Sequence, residues 1–407
     1  MLENIKQKFA AFKRHSYTPQ EKADIAAAII LVGFVIAVFS HYILGFYFNL
    51  KYPFNTFLFF PDDKFTDFFA LIKSNSLTSA YYPLLNVLIL AFGCIHSQWI
   101  SLFIFVSIFV IYFVWYVFYH LKQTKTFSFI NFFVLTFLTF PFLLIIDRSN
   151  FETFVFIFLS LFVLFFTKKN YKLAIIFLAV ATSMKLYPIV FIVMFLAIKK
   201  YREAALTLIT SLVLTVTSLV IYPTPTSETL KIMINNQKYF TKAYAIGEKG
   251  VTVGLDMSNS LYNFIRYSTI NLLHVPLNLE KFMYVYTIVV FLIFFLLSAY
   301  IILYEKKIWK QTLILVIVIN LFPHISIDYK LIYFFIPLFL FFGDKEKNKY
   351  DLMYIVLLSL ILIPKAFHIL YYYDGILIDP MIMMILLGLV LLEGKNNIHK
   401  LKTRVIK

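Results

Sequence analysis

The sequence predicts an all-α, polytopic transmembrane bundle of about twelve spans, with interfacial helices in its outer loops. Three observations carry this. Of 407 residues, 61% are hydrophobic and only 14% charged, outside the range of soluble domains. Apolar runs recur from end to end, and runs such as Leu102–Phe118 do not alternate as barrel strands do. Backbone groups in lipid must be satisfied within each segment, so these runs form helices.

In chain order, residues 1–24 form a basic cytoplasmic lead. Ile25–Phe48 can cross about 30 Å of hydrocarbon and reads as a retained first span, not a cleaved signal. Residues 49–97 make a first outer loop. Within it Tyr82–Ile95 is apolar but short, an interfacial or re-entrant piece. Trp99–Tyr119 crosses inward, Phe127–Ile146 outward and Phe151–Phe166 inward again. Leu173–Met184 and Pro188–Ile198 then form a short hairpin around Lys185, Leu186 and Tyr187. Ala204–Tyr222 leads to a large outer loop at 223–281, and Phe282–Tyr304 returns. Ile308–Phe322 pairs with Leu331–Phe342, and Leu352–Ile363 with Pro380–Leu392. Residues 393–407 form a basic cytoplasmic tail. There is no internal repeat.

The net charge is +16, but no nucleic-acid partner is needed to explain it. Lys and Arg concentrate in the segments assigned inside, and the outer segments are nearly balanced. That distribution orients the protein and suits contact with anionic membrane lipid. The sole cysteine, Cys94, rules out an internal disulfide and argues against a paired-cysteine metal site.

Chemistry-bearing residues stand out against this apolar background. Phe65, Phe68, Phe69 and Ile72 share one helical face, with Asp63, Asp67 and Ser74 opposite. The stretch reads as a helix in the membrane interface with Pro61 in its first turn. Asp62 and Asp63 then lie at capping positions, whereas Asp67 lies a turn further on. Asp63 and Asp67 repel each other at i, i+4, which favours a proton on one of them and suits a general base. No third ligand stands at metal spacing, so no metal or other cofactor is predicted, although the two carboxylates could hold a divalent ion.

Further on, Asp147-Arg148-Ser149-Asn150-Phe151-Glu152 forms an outer turn. Ser149 with Glu152 fits a capping box. Arg148 either holds a phosphate or pairs with Asp147. Lys185 sits between helices of about 18 Å each, shorter than the hydrocarbon. It therefore lies at depth as a functional cation, unless a tilted helix lets it snorkel. His324, Asp328 and Lys330 crowd a further outer turn. The segment Ser258–Arg266, with Asn259, is either an interfacial cover or a wall of the binding chamber. No nucleotide-binding fingerprint or Ser-His-Asp arrangement occurs.

The motifs DKFTDFF at 63–69, YYPLLNVL at 81–88, DRSNFE at 147–152, ATSMKLYPIVF at 181–191, SNSLYNFIR at 258–266 and FPHISIDYKL at 322–331 occur in order. Together they resemble the family-87 membrane glycosyltransferases of the polyprenyl-phosphate-mannose-dependent type, in the GT-C superfamily, over roughly residues 25–342. One departure is Leu84, where the family often has a second proline after Tyr82-Pro83. The resemblance implies an inverting transfer of a mannose-like sugar from a polyprenyl-phosphate donor to a lipid or glycan acceptor. The site would be extracytoplasmic in the cell membrane. It implies Asp67 as base; the residues themselves offer Asp63 beside it and the other partners of the site. Lys185, Arg148 and Lys330 would hold the donor phosphate, Tyr187 and His324 would hydrogen-bond it, and Asn150, Asn259 and Asp328 would line the chamber. A polysaccharide polymerase would rely on outer-loop arginines, of which this chain has Arg148 and Arg266 alone. A lipid-linked oligosaccharide flippase or other transporter would show repeats and charges spread through its spans.

Overall fold

A computed structural model describes residues 17–48, 64–73, 81–246, 258–346, 348–365 and 375–405. The described residues form helices throughout, with one isolated antiparallel bridge between Ser258 and Ile327.

Local signals set many of the boundaries. Helix α1, Pro19–Phe48, begins with a proline and a capping box. The Thr18 N–H donates to the Glu21 carboxylate at 2.7 Å, and the Glu21 N–H returns to the Thr18 hydroxyl at 3.2 Å. This helix starts six residues before the predicted span, so the end of the expected lead is part of it. Lys22 is buried, donates to the Asp344 carbonyl at 2.9 Å and pairs with Asp351 at 3.6 Å.

The short helices α2, Thr66–Lys73, and α3, Pro83–Gly93, precede α4, Gln98–Gln123. The predicted crossing at Phe127–Ile146 is broken. Helix α5, Phe129–Phe137, and α6, Phe140–Arg148, meet at a 44° bend. Pro141 is the cause: it has no N–H to continue the ladder, and its ring clashes with the preceding turn. Helix α7, Glu152–Thr167, and α8, Tyr171–Met184, are followed by a 3-10 turn at Tyr187–Phe191 and α9, Ile192–Ala197. Then come α10, Tyr201–Ile221, α11, Thr226–Phe240, and α12, Leu261–Tyr267, the last capped by Ser260. Helix α13 is Leu279–Leu303 and α14 is Ile308–Leu321. A 3-10 turn at Asp328–Phe334 leads into α15, Phe335–Phe342, followed by α16, Asp351–Leu362, and α17, Gly375–Val405. Residues predicted as a tail from 393 continue α17.

By length and apolarity, five described helices can cross a membrane, or six if the bent α5–α6 pair is one span. The remaining predicted crossings are shorter helices, and the structure shows why they are short. Helix α14 is buried on every side from Trp309 to Leu321, and α7 is buried almost throughout. A helix that is apolar all round is an interior helix. The long helices lie outside, and α4 and α13 leave large apolar side chains such as Phe103, Ile111 and Leu296 uncovered. Interior helices need not match bilayer thickness, because protein encloses them.

The packing of α1 on α16 has no room to spare. A Cβ on Gly33 would lie 2.6 Å from Ile363 Cγ2 and 2.8 Å from its Cβ. Gly33→Ala is expected to destabilise the protein by about 1–3 kcal/mol, read as a lower melting temperature in detergent. Adding Ile363→Ala should recover part of that loss.

Candidate active site

The candidate site grows from the tight turn that joins α6 to α7. Helix α6 ends at Arg148, and Ser149 takes the left-handed conformation with φ 48° and ψ 49°. The chain therefore reverses within a few residues. The capping box expected of Ser149 and Glu152 does not form. The Ser149 hydroxyl donates back to the Ile146 carbonyl at 3.0 Å, and Asn150 Oδ1 accepts the Glu152 N–H at 2.8 Å. Glu152 is thereby released from capping, and its carboxylate turns into the protein with 0% exposure.

On one side of the turn stands Asp67. Arg148 Nη2 donates to its Oδ1 at 2.9 Å, and Asn150 Nδ2 donates to its Oδ2 at 2.7 Å. Arg148, expected on a phosphate or on Asp147, thus holds Asp67. Helix α2 begins at Thr66 and not near Pro61, because Phe65 has φ 60°. Asp67 accordingly lies in the first turn, near the positive end of the helix dipole, and not one turn further on. The Phe65 N–H donates to the Asp147 carbonyl at 2.7 Å. Next along, Phe68 is fully buried and stacks on Phe151, with centroids 5.8 Å apart and planes at 5°. These two contacts dock the eight-residue helix against the turn. Asp62 and Asp63 lie outside the described residues.

On the other side, Glu152 accepts hydrogen bonds from Lys185, from the Tyr187 hydroxyl, and from the Tyr333 hydroxyl at 2.5 Å. The two tyrosine hydroxyls are 2.7 Å apart. Lys185 follows the last turn of α8 in an extended conformation and lies 4.7 Å from the Tyr81 ring centroid. Lys330 lies 4.3 Å from the Tyr187 ring centroid and donates to the Ile319 carbonyl at 2.7 Å. Lys185, Tyr187 and Lys330, predicted together, are brought together.

Asn150 links the halves, since its amide serves Asp67 while its carbonyl serves the Glu152 backbone. Tyr81 and Tyr244 stand near Asp67. Burial first, and the Asp67 carboxylate second, raise the pKa of both hydroxyls above the ordinary phenol value. Both remain protonated donors at neutral pH.

Three predicted residues have other partners. His324 hydrogen-bonds Thr287 through Nε2 at 3.0 Å and packs edge-on against Tyr262. It is not brought to Lys185 and Lys330. The Asn259 backbone N–H donates to the Ser326 carbonyl at 3.0 Å, so Asn259 fastens two loops together. Asp328 is buried near Asp379 and Lys365, which are themselves paired at 2.7 Å. Among the described residues, no three His, Cys, Asp or Glu side chains converge on a metal-sized site.

Glu152, Tyr333 and Tyr81 were missed from sequence. The available signal was a carboxylate opening an otherwise apolar run, Glu152–Thr167. A cap at a solvent-exposed helix start explains such a residue, but a cap at a buried one does not.

Helices throughout the described residues, apolar side chains left uncovered on the long ones, and buried ion pairs at the ends of the interior ones give the build of an integral membrane protein. The sequence profile of glycosyltransferase family 87 matches residues 80–322, more than half of the chain. The protein belongs to that family and is a membrane glycosyltransferase. The matched region holds Arg148, Asn150, Glu152, Lys185 and Tyr187, while Asp67 precedes it. No curated protein and no solved structure matches the chain.

Glu152→Ala leaves the Lys185 ammonium without its carboxylate and is expected to cost about 3–5 kcal/mol. Chemical denaturation of the purified protein reads this directly. Glu152→Gln combined with Lys185→Met should cost less than the two single changes summed. His324 offers a pH test, because burial lowers its pKa. The unfolded chain takes up a proton near pH 6.5 that the folded chain resists. Stability from this group is complete above that pH and falls as the pH drops through it. Melting temperatures between pH 7.5 and 5.5 (about one unit either side of the midpoint) should therefore fall less steeply in His324→Gln than in wild type.

Proposed function

We propose that the protein transfers a mannose-like sugar, with inversion, from a polyprenyl-phosphate donor to a hydroxyl of a lipid or glycan acceptor. Asp67 is the general base. The observation that carries this reading is the state of the Asp67 carboxylate. Each oxygen accepts one hydrogen bond, from Arg148 or from Asn150, and the side chain remains 22% exposed. Each oxygen keeps a lone pair, so the group can take a proton without losing its orientation.

The acceptor oxygen attacks the anomeric carbon, and the bond from that carbon to the phosphate oxygen breaks. The acceptor proton passes to Asp67, and polyprenyl phosphate leaves with the bonding electrons. Charge grows on the phosphate in the transition state, so fixed cations stabilise that state over the ground state. Lys185 and Lys330 are those cations. Lys185 spends one donor on Glu152 and remains 16% exposed, with N–H groups to offer. Tyr187 adds a hydroxyl. Arg148 serves the phosphate indirectly, by fixing Asp67. Asp63, four residues upstream, supplies a second carboxylate for the acceptor. No cofactor enters this scheme.

The surplus of Lys and Arg in the segments assigned inside supports an extracytoplasmic site in the cell membrane. Short enclosed helices counted as crossings support about twelve in all. The closest rivals are a polysaccharide polymerase and a lipid-linked oligosaccharide transporter.

Purified protein should consume one member of a panel of polyprenyl-phosphate sugars. Asp67→Asn is expected to lower kcat by about 10²- to 10⁴-fold with little change in donor affinity. Full turnover in Asp67→Asn would remove the base assignment. Movement of lipid-linked substrate across vesicles with no donor consumed would favour the transporter.

A further inference from the structure

At the end of α7 opposite the candidate site, the protein carries a cavity of about 290 Å³. It lies where α4, α7 and α15 end, and its lining includes His120, Gln123, Lys125, Thr167, Phe339 and Lys345. We propose that this cavity binds a phosphate-bearing anion, the head group of an anionic lipid or free phosphate.

The charge at the cavity is uncompensated by design of the neighbouring pairs. Lys345 stands between two acids, Asp344 and Glu346, and both pair with Lys307 at 2.8 Å. Among the described residues, no carboxylate lines the cavity. The ammonium groups of Lys125 and Lys345 have no hydrogen-bond or ion-pair partner among the described residues and are available. His120 adds an imidazole stacked on Phe339, with centroids 5.2 Å apart and planes at 9°. Its Nε2 is buried without a hydrogen-bond partner. Gln123 brings an amide donor. Two ammonium groups, an amide and an imidazole nitrogen thus border a space whose described lining carries no carboxylate.

The backbone points the same way. Lys125, Lys169 and Lys199 all take left-handed conformations, with φ of 60°, 59° and 60°. Each follows a helix end, where glycine avoids the steric cost. All three lie on this side of the protein. Thr167 shares the cavity with Lys125, and Lys200 lies 5.2 Å over the Tyr171 ring that opens α8. Complementing three helix dipoles explains a cation at each end. It does not explain two lysines with no counter-ion around one polar cavity. A basic pocket between helices at a membrane surface is the setting in which lipid phosphates are held.

The test uses the full chain in detergent, stripped of lipid. Native mass spectrometry titrates phosphatidylglycerol and phosphatidylcholine, and thermal shift reads inorganic phosphate. Wild type should prefer phosphatidylglycerol. Lys125→Gly with Lys345→Gln should weaken that binding roughly tenfold, and Lys125→Gly keeps the left-handed backbone unstrained. Lys125→Arg with Lys345→Arg should keep it. Lys281→Gln, at the far end of α13, should leave it unchanged. If phosphatidylglycerol binds and inorganic phosphate does not, the ligand is the lipid head group. If phosphate alone stabilises wild type but not the Lys125→Gly/Lys345→Gln variant, the ligand is the soluble anion. Equal affinity of wild type and that variant for both probes would overturn the site.

Discussion

The arrangement depends on burying one carboxylate. Glu152 sits in the protein interior with no exposure, which is costly for a charge unless partners surround it. Lys185, Tyr187 and Tyr333 supply those partners. The three come from two segments far apart in sequence, and α7 supplies the carboxylate. The single group thus ties the start of α7 to the end of α8 and to the Asp328–Phe334 turn. Satisfied in full, such a network fixes one geometry, and left half-satisfied it would be worse than an apolar core. The network holds these short helices in register at the end where Asp67 and Glu152 lie.

The second carboxylate depends on the first through Asn150. Its amide orients Asp67, and its carbonyl oxygen accepts the backbone N–H of Glu152. A shift of the turn would disturb both carboxylates. Phenylalanine packing supports the same junction, since Phe68 stacks on Phe151 between Asn150 and Glu152. The two carboxylates differ in access. Asp67 is partly open and lightly held, suited to exchanging a proton. Glu152 is closed and heavily held, suited to positioning Lys185.

Much of this was legible in the residues. The short helices flanking Lys185 and the hairpin near Lys330 follow from run length, and the structure keeps both. The docking of Asp67 near Arg148 was half legible: both were candidates, but their pairing needed α2 to start at Thr66. A left-handed Phe65 set that start, and no propensity predicts it. Glu152 was read as a cap because the capping-box pattern was present. What decided otherwise was that its helix begins inside the protein, where Asn150 takes over the cap. His324 was placed with its neighbours in sequence, but an adjacent turn residue can face another helix, and it faces Thr287 on α13.

The sequence by itself determined that the chain is helical and membrane-embedded, which family it resembles, and which polar residues need a reason to exist. These are consequences of composition, run length and local spacing, and they hold before any helix has a neighbour. The tertiary structure alone decided which helices lie inside, because run length cannot separate a short interior helix from a thin crossing. It also decided which cation meets which carboxylate. Those pairings join residues as far apart as Lys22 and Asp351, and the desolvation that makes them strong exists only once the helices have closed around them.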